Sequence, residues 1–235
     1  MAIDTTSRKA FWRGARDCGP FVLVAVPFGL LFGVIGTEAG LNIAQVMGFS
    51  IVVIAGAAQL TALQLMLDQA PTIIVLLSAI AVNLRMAMYS AALASHLGAA
   101  PLWKRALVAY MNMDQTYAVS VVEFEAKPEL TLTERLGYFF GTCLPIVPTW
   151  YAATLAGALL GQSVPGDWGI EFVVPIAFLS LVAPALRTLA HIAALVTSVV
   201  LAIVFVGLPY NLGLMPAGIG AMIVGAEVER RMGQP

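Results

Sequence analysis

The sequence predicts an all-α, polytopic membrane protein whose helices are broken at proline and glycine. Three observations predict it. Of 235 residues, 60% are hydrophobic and 11% charged, with a mean hydropathy of +0.90. A soluble domain carries about 25% charged residues, so this chain lacks the polar surface to face water. Its apolar runs recur at about 20 residues, the length of a spanning helix rather than of a barrel strand of about 10. Many of its 21 Gly and 13 Pro fall inside those runs, where a freed backbone group is tolerated only against neighbouring helices or a wet cavity. The net charge of −1 is uninformative about partners, and no basic run suits a nucleic acid.

Residues 1–17 are polar, with Arg8, Lys9, Arg13 and Arg16, and read as an amphipathic cytoplasmic lead-in. Residues 18–228 read as a single transmembrane helical domain. The first span, about 18–38, contains Pro20, Pro27, Gly29 and Gly33, with Pro27-Phe28-Gly29 expected to face the bundle interior as a kink. The second, about 41–67, carries the small and polar run Ala55-Gly56-Ala57-Ala58-Gln59. Pro71 opens the third, about 71–97, which holds Asn83 and Arg85. A fourth, about 102–124, holds Asp114 and Tyr117.

A charged stretch from Glu123 to Arg135 precedes spans at about 136–160, 170–187, 189–207 and 211–228. The 170–187 segment is short and holds Glu171, Pro175 and Pro184. The count is about eight, or seven if one short segment is re-entrant. A duplication into halves 18–124 and 136–228 is an open alternative, resting on Cys18-Gly19-Pro20 and Cys143-Leu144-Pro145 and on Gly36 and Gly161 at the same offset.

With eight crossings and the N-terminus inside, Arg8, Lys9, Arg13, Arg16, Lys127, Arg135, Arg187, Arg230 and Arg231 fall inside. Lys104 and Arg105 fall outside, and Arg85 lies within the membrane. The bias favours cytoplasmic termini. A re-entrant second segment would instead place Lys104-Arg105 inside. No secretory signal is evident, and the N-terminus is expected to remain.

An arginine in hydrocarbon costs from about 3 to over 10 kcal/mol, so Arg85 marks a functional site by default. The turn between the third and fourth spans lies near Gly98–Pro101, and Arg85 stands about as far before it as Asp114 after it. At 1.5 Å per residue the two lie at similar depth and are expected to pair. Tyr117 shares a helix face with Asp114. The preceding hairpin sets Gly56 opposite Asn83, with Gln59 one turn away. Gln59, Asn83, Arg85, Asp114 and Tyr117 are therefore candidate substrate-binding residues, with Asp114 and Glu171 as candidates for proton coupling.

In that cavity Arg85 would hold a carboxylate and Asp114 an ammonium or a proton. Freed backbone at the Pro27 kink, Ala55 and Gly56 could add ligands. The bland alternative is a structural ion pair with Asn83 and Gln59 as interhelical hydrogen-bonding groups. Met86, Met88, Met111 and Met113 flank the pair, either as packing or as an adaptable apolar pocket.

Catalysis is poorly supported. No G-x-S-x-G, H-E-x-x-H, Walker A or C-x-x-C motif occurs. Cys18 and Cys143 read as buried small hydrophobes, and His96 and His191, near span ends, as packing or capping groups. No metal and no cofactor are expected.

Several runs occur in an order that resembles one family: PFGLLFG (27–33), AGAAQLTALQL (55–65), NLR (83–85), Asp114-Gln115-Thr116-Tyr117-Ala118, GALLG (157–161) and WGIEFVVPIAFLSLVAP (168–184). Over about 12–225 the chain resembles the AzlC family, the large subunit of branched-chain amino-acid exporters. The resemblance implies a secondary transporter of the bacterial inner membrane that exports valine, leucine, isoleucine or methionine. It would use the proton gradient and a separately encoded small AzlD-type membrane subunit. Members often carry His after Asn-Leu-Arg, where this chain has Met86, and Glu after the Asp, where it has Gln115. Both differences remove a titratable group beside the candidate site. The alternatives are a passive channel or facilitator for a small polar solute, or a non-transporting structural subunit.

Overall fold

A computed structural model describes residues 5–161, 186, 188–208 and 212–232. Every regular element among them is helical. In order these are α1 (Thr5–Cys18), a 3-10 turn (Gly19–Phe21), α2 (Val22–Glu38), α3 (Ile43–Val52), α4 (Gly56–Leu67) and α5 (Thr72–Leu97). They continue as α6 (Leu102–Tyr110), α7 (Asp114–Ala126), α8 (Leu132–Gly161), α9 (Leu189–Val204) and α10 (Leu214–Met232). Three stretches are long and apolar enough to cross a bilayer: Thr5–Glu38, Thr72–Leu97 and Leu132–Gly161. The chain forms two compact units, one from Met1–Gln64 with Val75–Trp168, the other from Leu65–Ile74 with Gly169–Pro235.

The first unit is built around α8, whose 30 residues extend about 45 Å at helical rise. The polar lead-in is itself helical. It buries Ala10, Gly14 and Cys18, four residues apart and so on one face, against α8. The 3-10 turn carries the chain into α2, which buries Ala25, Gly29, Leu31, Phe32, Gly33 and Gly36. Small residues let these backbones approach closely. A Cβ on Gly33 would run into the Thr154 carbonyl, one on Gly157 into that of Leu30, and one on Gly141 into that of Phe11. In lipid, where apolar burial gives no drive, such close contact is what holds helices together.

At one end of this seam Arg13 meets Glu123 at 2.6 Å and Lys127 meets the same carboxylate at 2.9 Å. The Tyr138 hydroxyl donates to Asp17 at 3.0 Å, and the Arg13 guanidinium lies 5.5 Å from the Tyr138 ring centroid. These contacts tie α1, α7 and α8 together. Cys18 and Cys143 are free and buried.

Two expectations change. Pro27 does not face the interior: it is exposed, while Gly29 beside it is buried. The close approach to α8 needs the residue without a side chain, so the proline turns outward. The fourth segment is not one helix. It breaks at Met111-Asn112-Met113, where Met113 is extended (φ −111°, ψ 166°).

The second segment breaks similarly at Val53-Ile54-Ala55, with Val53 extended (φ −125°, ψ 92°). Its entry is well capped: Gly40 takes a left-handed φ of 85°, Leu41 N–H reaches the Gly36 carbonyl at 3.1 Å, and Asn42 and Gln45 close a reciprocal cap at 2.9 Å each way.

In the second unit α9 and α10 pack together, with Gly220 against Leu201 and Gly225 against Ala194. Thr188 caps α9 by accepting the His191 N–H at 3.2 Å. Apart from Leu186, the expected 170–187 segment, with Glu171, lies outside the described residues.

Candidate functional site

The two broken helices and α5 build the site. Helix α5 runs unbroken past its polar residues, with Ile73, Leu76, Leu77, Ile80, Leu84 and Met88 exposed along one flank. Arg85 Nη1 reaches Asp114 Oδ2 at 3.1 Å. The two side chains keep 35% and 40% of their exposure, so the pair is reachable rather than sealed.

The break in the fourth segment places Asp114 in the first turn of α7. There the helix dipole favours an anion, which adds to the attraction of Arg85. Local chemistry makes the break. The Thr116 hydroxyl accepts the Met113 N–H at 2.8 Å and lies 3.2 Å from the Met111 carbonyl, satisfying backbone that a continuous helix would have paired internally. Asn112 is buried and donates to Ser90 Oγ at 3.3 Å, which fastens the break to α5.

Tyr117 stacks flat on Tyr89, with ring centroids 4.2 Å apart and planes 9° apart. Tyr89 lies one helical turn after Arg85, so its ring shares that face. The site therefore has an aromatic wall beside a charged pair.

Gln59 is fully buried in α4 and donates through Nε2 to the Val53 carbonyl, so it bridges the two halves of the broken second segment. Gly56 lies under the Trp150 ring. Trp150 Nε1 donates to Ser50 at 2.8 Å, Ser50 lies 3.4 Å from the Thr154 hydroxyl, and Tyr110 donates to the Ile51 carbonyl. The end of α3 is thus held on α8 and α6. Ala55 is buried at this break.

Unpaired polar atoms occur here, as they also do at Arg13, Ser120 and Arg135. Gln59 Oε1, Asn83 Oδ1, Arg85 Nε, Asn112 Oδ1 and Asp114 Oδ1 are buried without a hydrogen-bond partner. Each such atom costs about 1–3 kcal/mol. Arg85 spends one terminal nitrogen on Asp114 and keeps Nε, so its fork can still take a carboxylate side-on.

Of the sequence-derived candidates, the structure joins Arg85 to Asp114 and brings Tyr117 beside them through Tyr89. Gln59 folds onto the break in its own segment. Asn83 stands two residues from Arg85, about 200° around the helix, and so on another face. Met113 is buried at the break, whereas Met88 is 70% exposed and turns away.

Tyr89, Ser90 and Asn112 were absent from the sequence reading. The Tyr89 signal was its spacing of four from Arg85. Asn112 was visible as an amide inside an apolar run. Ser90 carried none.

One family model, described as AzlC protein, matches residues 20–164, which contain both broken segments, α5 and all of α8. No curated protein and no solved structure matches the chain. The family is generally associated with branched-chain amino-acid transport, and the match covers more than half of the 235 residues. The chain belongs to the AzlC family.

Proposed function

We propose that the chain is the large subunit of a two-component secondary transporter that exports branched-chain or similar neutral amino acids from bacteria. It sits in the inner membrane with seven or eight membrane segments and cytoplasmic termini, works with a small AzlD-type membrane subunit, and draws on the proton gradient. The observation that carries this reading is the Arg85–Asp114 pair, set at a helix break within an apolar hairpin, with Arg85 Nε and Asp114 Oδ1 unpaired.

A zwitterionic amino acid offers one charge to each partner. Its carboxylate takes the unpaired Nε edge of the Arg85 guanidinium, and its ammonium takes Asp114. The Tyr89–Tyr117 stack and Met113 give its side chain an apolar surface. A proton on Asp114 would neutralise the carboxylate, loosen both Arg85 and the ammonium, and so couple release to the proton gradient. Glu171 is the second candidate for that role. Discontinuous helices at the binding depth are a recurring device in secondary transporters, because they expose backbone groups without leaving them in lipid.

The test is counterflow in proteoliposomes, with and without the small subunit, using labelled leucine, valine, isoleucine and methionine across an imposed pH gradient. Exchange that the gradient accelerates supports the proposal. Flux indifferent to the gradient makes the protein a passive facilitator, and no flux for any solute overturns transport by this chain.

A further inference from the structure

A cavity of about 150 Å³ lies between α5 and α6, away from the Arg85–Asp114 pair and unused by the proposed transport step. It is lined on α5 by Ser90, Leu93, Ala94 and Leu97 with Gly98 beyond, and on α6 by Arg105, Val108 and Ala109. These positions recur at three and four residues, so the cavity is a groove running along both helices rather than a hole between them.

The groove is polarised along its length. Arg105 stands near the Gly98–Pro101 turn, while Ser90 and Ala109 lie farthest from it. From Ser90 to Gly98 is about 12 Å of helix, room for a stretch of about eight to ten methylenes. The far end is closed by Ser90 itself, held by Asn112 at 3.3 Å. The walls between are leucine, valine and alanine, an apolar surface on which a hydrocarbon chain can lie.

Charge settles what kind of chain fits. Between Gln69 and Met113 the sequence has no Asp or Glu, yet it carries Lys104 and Arg105 at the mouth of the groove. Among the described residues neither cation forms an ion pair. Lys104 Nζ instead sits 5.4 Å from the centroid of the Trp103 ring, and Trp103 and Leu102 are 62% and 77% exposed. An exposed tryptophan with a lysine and an arginine at a helix end is the pattern that anchors a segment at the level of lipid headgroups.

We infer that the α5–α6 groove binds one anionic phospholipid, its phosphate on Arg105 with Lys104 beside it and part of one acyl chain lying over Ala94 toward Ser90.

The experiment is native mass spectrometry of the full chain purified in a mild detergent and titrated with phosphatidylglycerol or phosphatidylcholine. The wild type should retain one phosphatidylglycerol more strongly than phosphatidylcholine. Arg105→Gln should weaken that retention about fivefold, the scale of one cation at a membrane surface, and Arg105→Lys should restore most of it. Ala94→Leu, which fills the groove from an exposed position, should abolish the same adduct while leaving the melting temperature unchanged.

Equal retention of the two lipids, or a phosphatidylglycerol adduct untouched by both Arg105→Gln and Ala94→Leu, would overturn the inference. So would displacement by millimolar leucine, which would make the groove part of the solute path, or by inorganic phosphate, which would make it an anion site without a chain.

Discussion

Neutralising Arg85 and Asp114 one at a time and then together separates a transport site from a mere ion pair. At 3.1 Å and an effective dielectric of about 20, the Coulomb attraction is about 5 kcal/mol. Both side chains are more than a third exposed, and screening of such pairs reduces the net coupling to about 0.2–1 kcal/mol. Arg85→Gln or Asp114→Asn leaves the other charge alone at a helix break, where its partner is missing and its desolvation remains. Each single variant should therefore melt lower than the wild type. The double variant, with neither charge, should recover about 0.2–1 kcal/mol of the summed loss, or up to about 4 °C for a chain of this size.

Export should not recover with it. A zwitterion needs both charges, so all three variants should lose labelled-leucine counterflow by about a hundredfold, the scale of one lost charge-assisted contact at about 2–3 kcal/mol. Thermal unfolding in detergent and counterflow in liposomes are read on the same preparations. A double variant that regains both stability and export would reduce the pair to a structural role. Purely additive melting losses would show that the two charges do not act on each other.

Other expectations rest on packing. Gly33→Leu and Gly157→Leu drive a side chain into backbone across the α2–α8 seam and should cost at least about 1–3 kcal/mol, seen as a lower melting temperature or aggregation on size exclusion. Gly48→Ala, where a Cβ meets nothing within 4 Å, should melt at or slightly above the wild type. Trp150→Phe removes the buried 2.8 Å bond to Ser50 and should cost about 1–2 kcal/mol. Adding Ser50→Ala should cost less than the sum of the two single changes. Glu123→Gln breaks contacts to both Arg13 and Lys127 around a carboxylate only 12% exposed and should lower melting clearly. Lys127→Ala, whose side chain is 40% exposed, should change it by less than about 1 kcal/mol.

Much of this was legible in the residues because membrane chains signal their helices through composition. The third span was expected at about 71–97 and appears as Thr72–Leu97, since Pro71 marks its start and Gly98 its end. The Arg85–Asp114 contact followed from equal distances to one turn, a one-dimensional argument that survives as long as α5 and the fourth segment run alongside each other.

The break at Met111–Met113 was less legible. Methionine and asparagine carry no strong helix-stop signal, and the cause is Thr116 reaching back for the Met113 N–H, a hydrogen bond that spacing permits but does not require. Pro27 misled for a related reason. Its ring suggests a kink toward neighbours, but the tight contact to α8 is made by Gly29 and Gly33, whose missing side chains are the feature that packs. Asn83 enters the candidate site through the hairpin that sets it opposite Gly56, although its two-residue step from Arg85 moves it to the far side of α5.

Equilibrium binding decides whether Arg85 and Asp114 together hold an amino acid. Labelled L-leucine is titrated against the purified full chain, alone and with the small subunit, alongside Arg85→Lys, Arg85→Gln and Asp114→Asn proteins that remain monodisperse. Saturable binding to the wild type, weakened in Arg85→Lys and lost in Arg85→Gln and Asp114→Asn, is the predicted result. Saturable leucine binding of wild-type affinity in both Arg85→Gln and Asp114→Asn would contradict it.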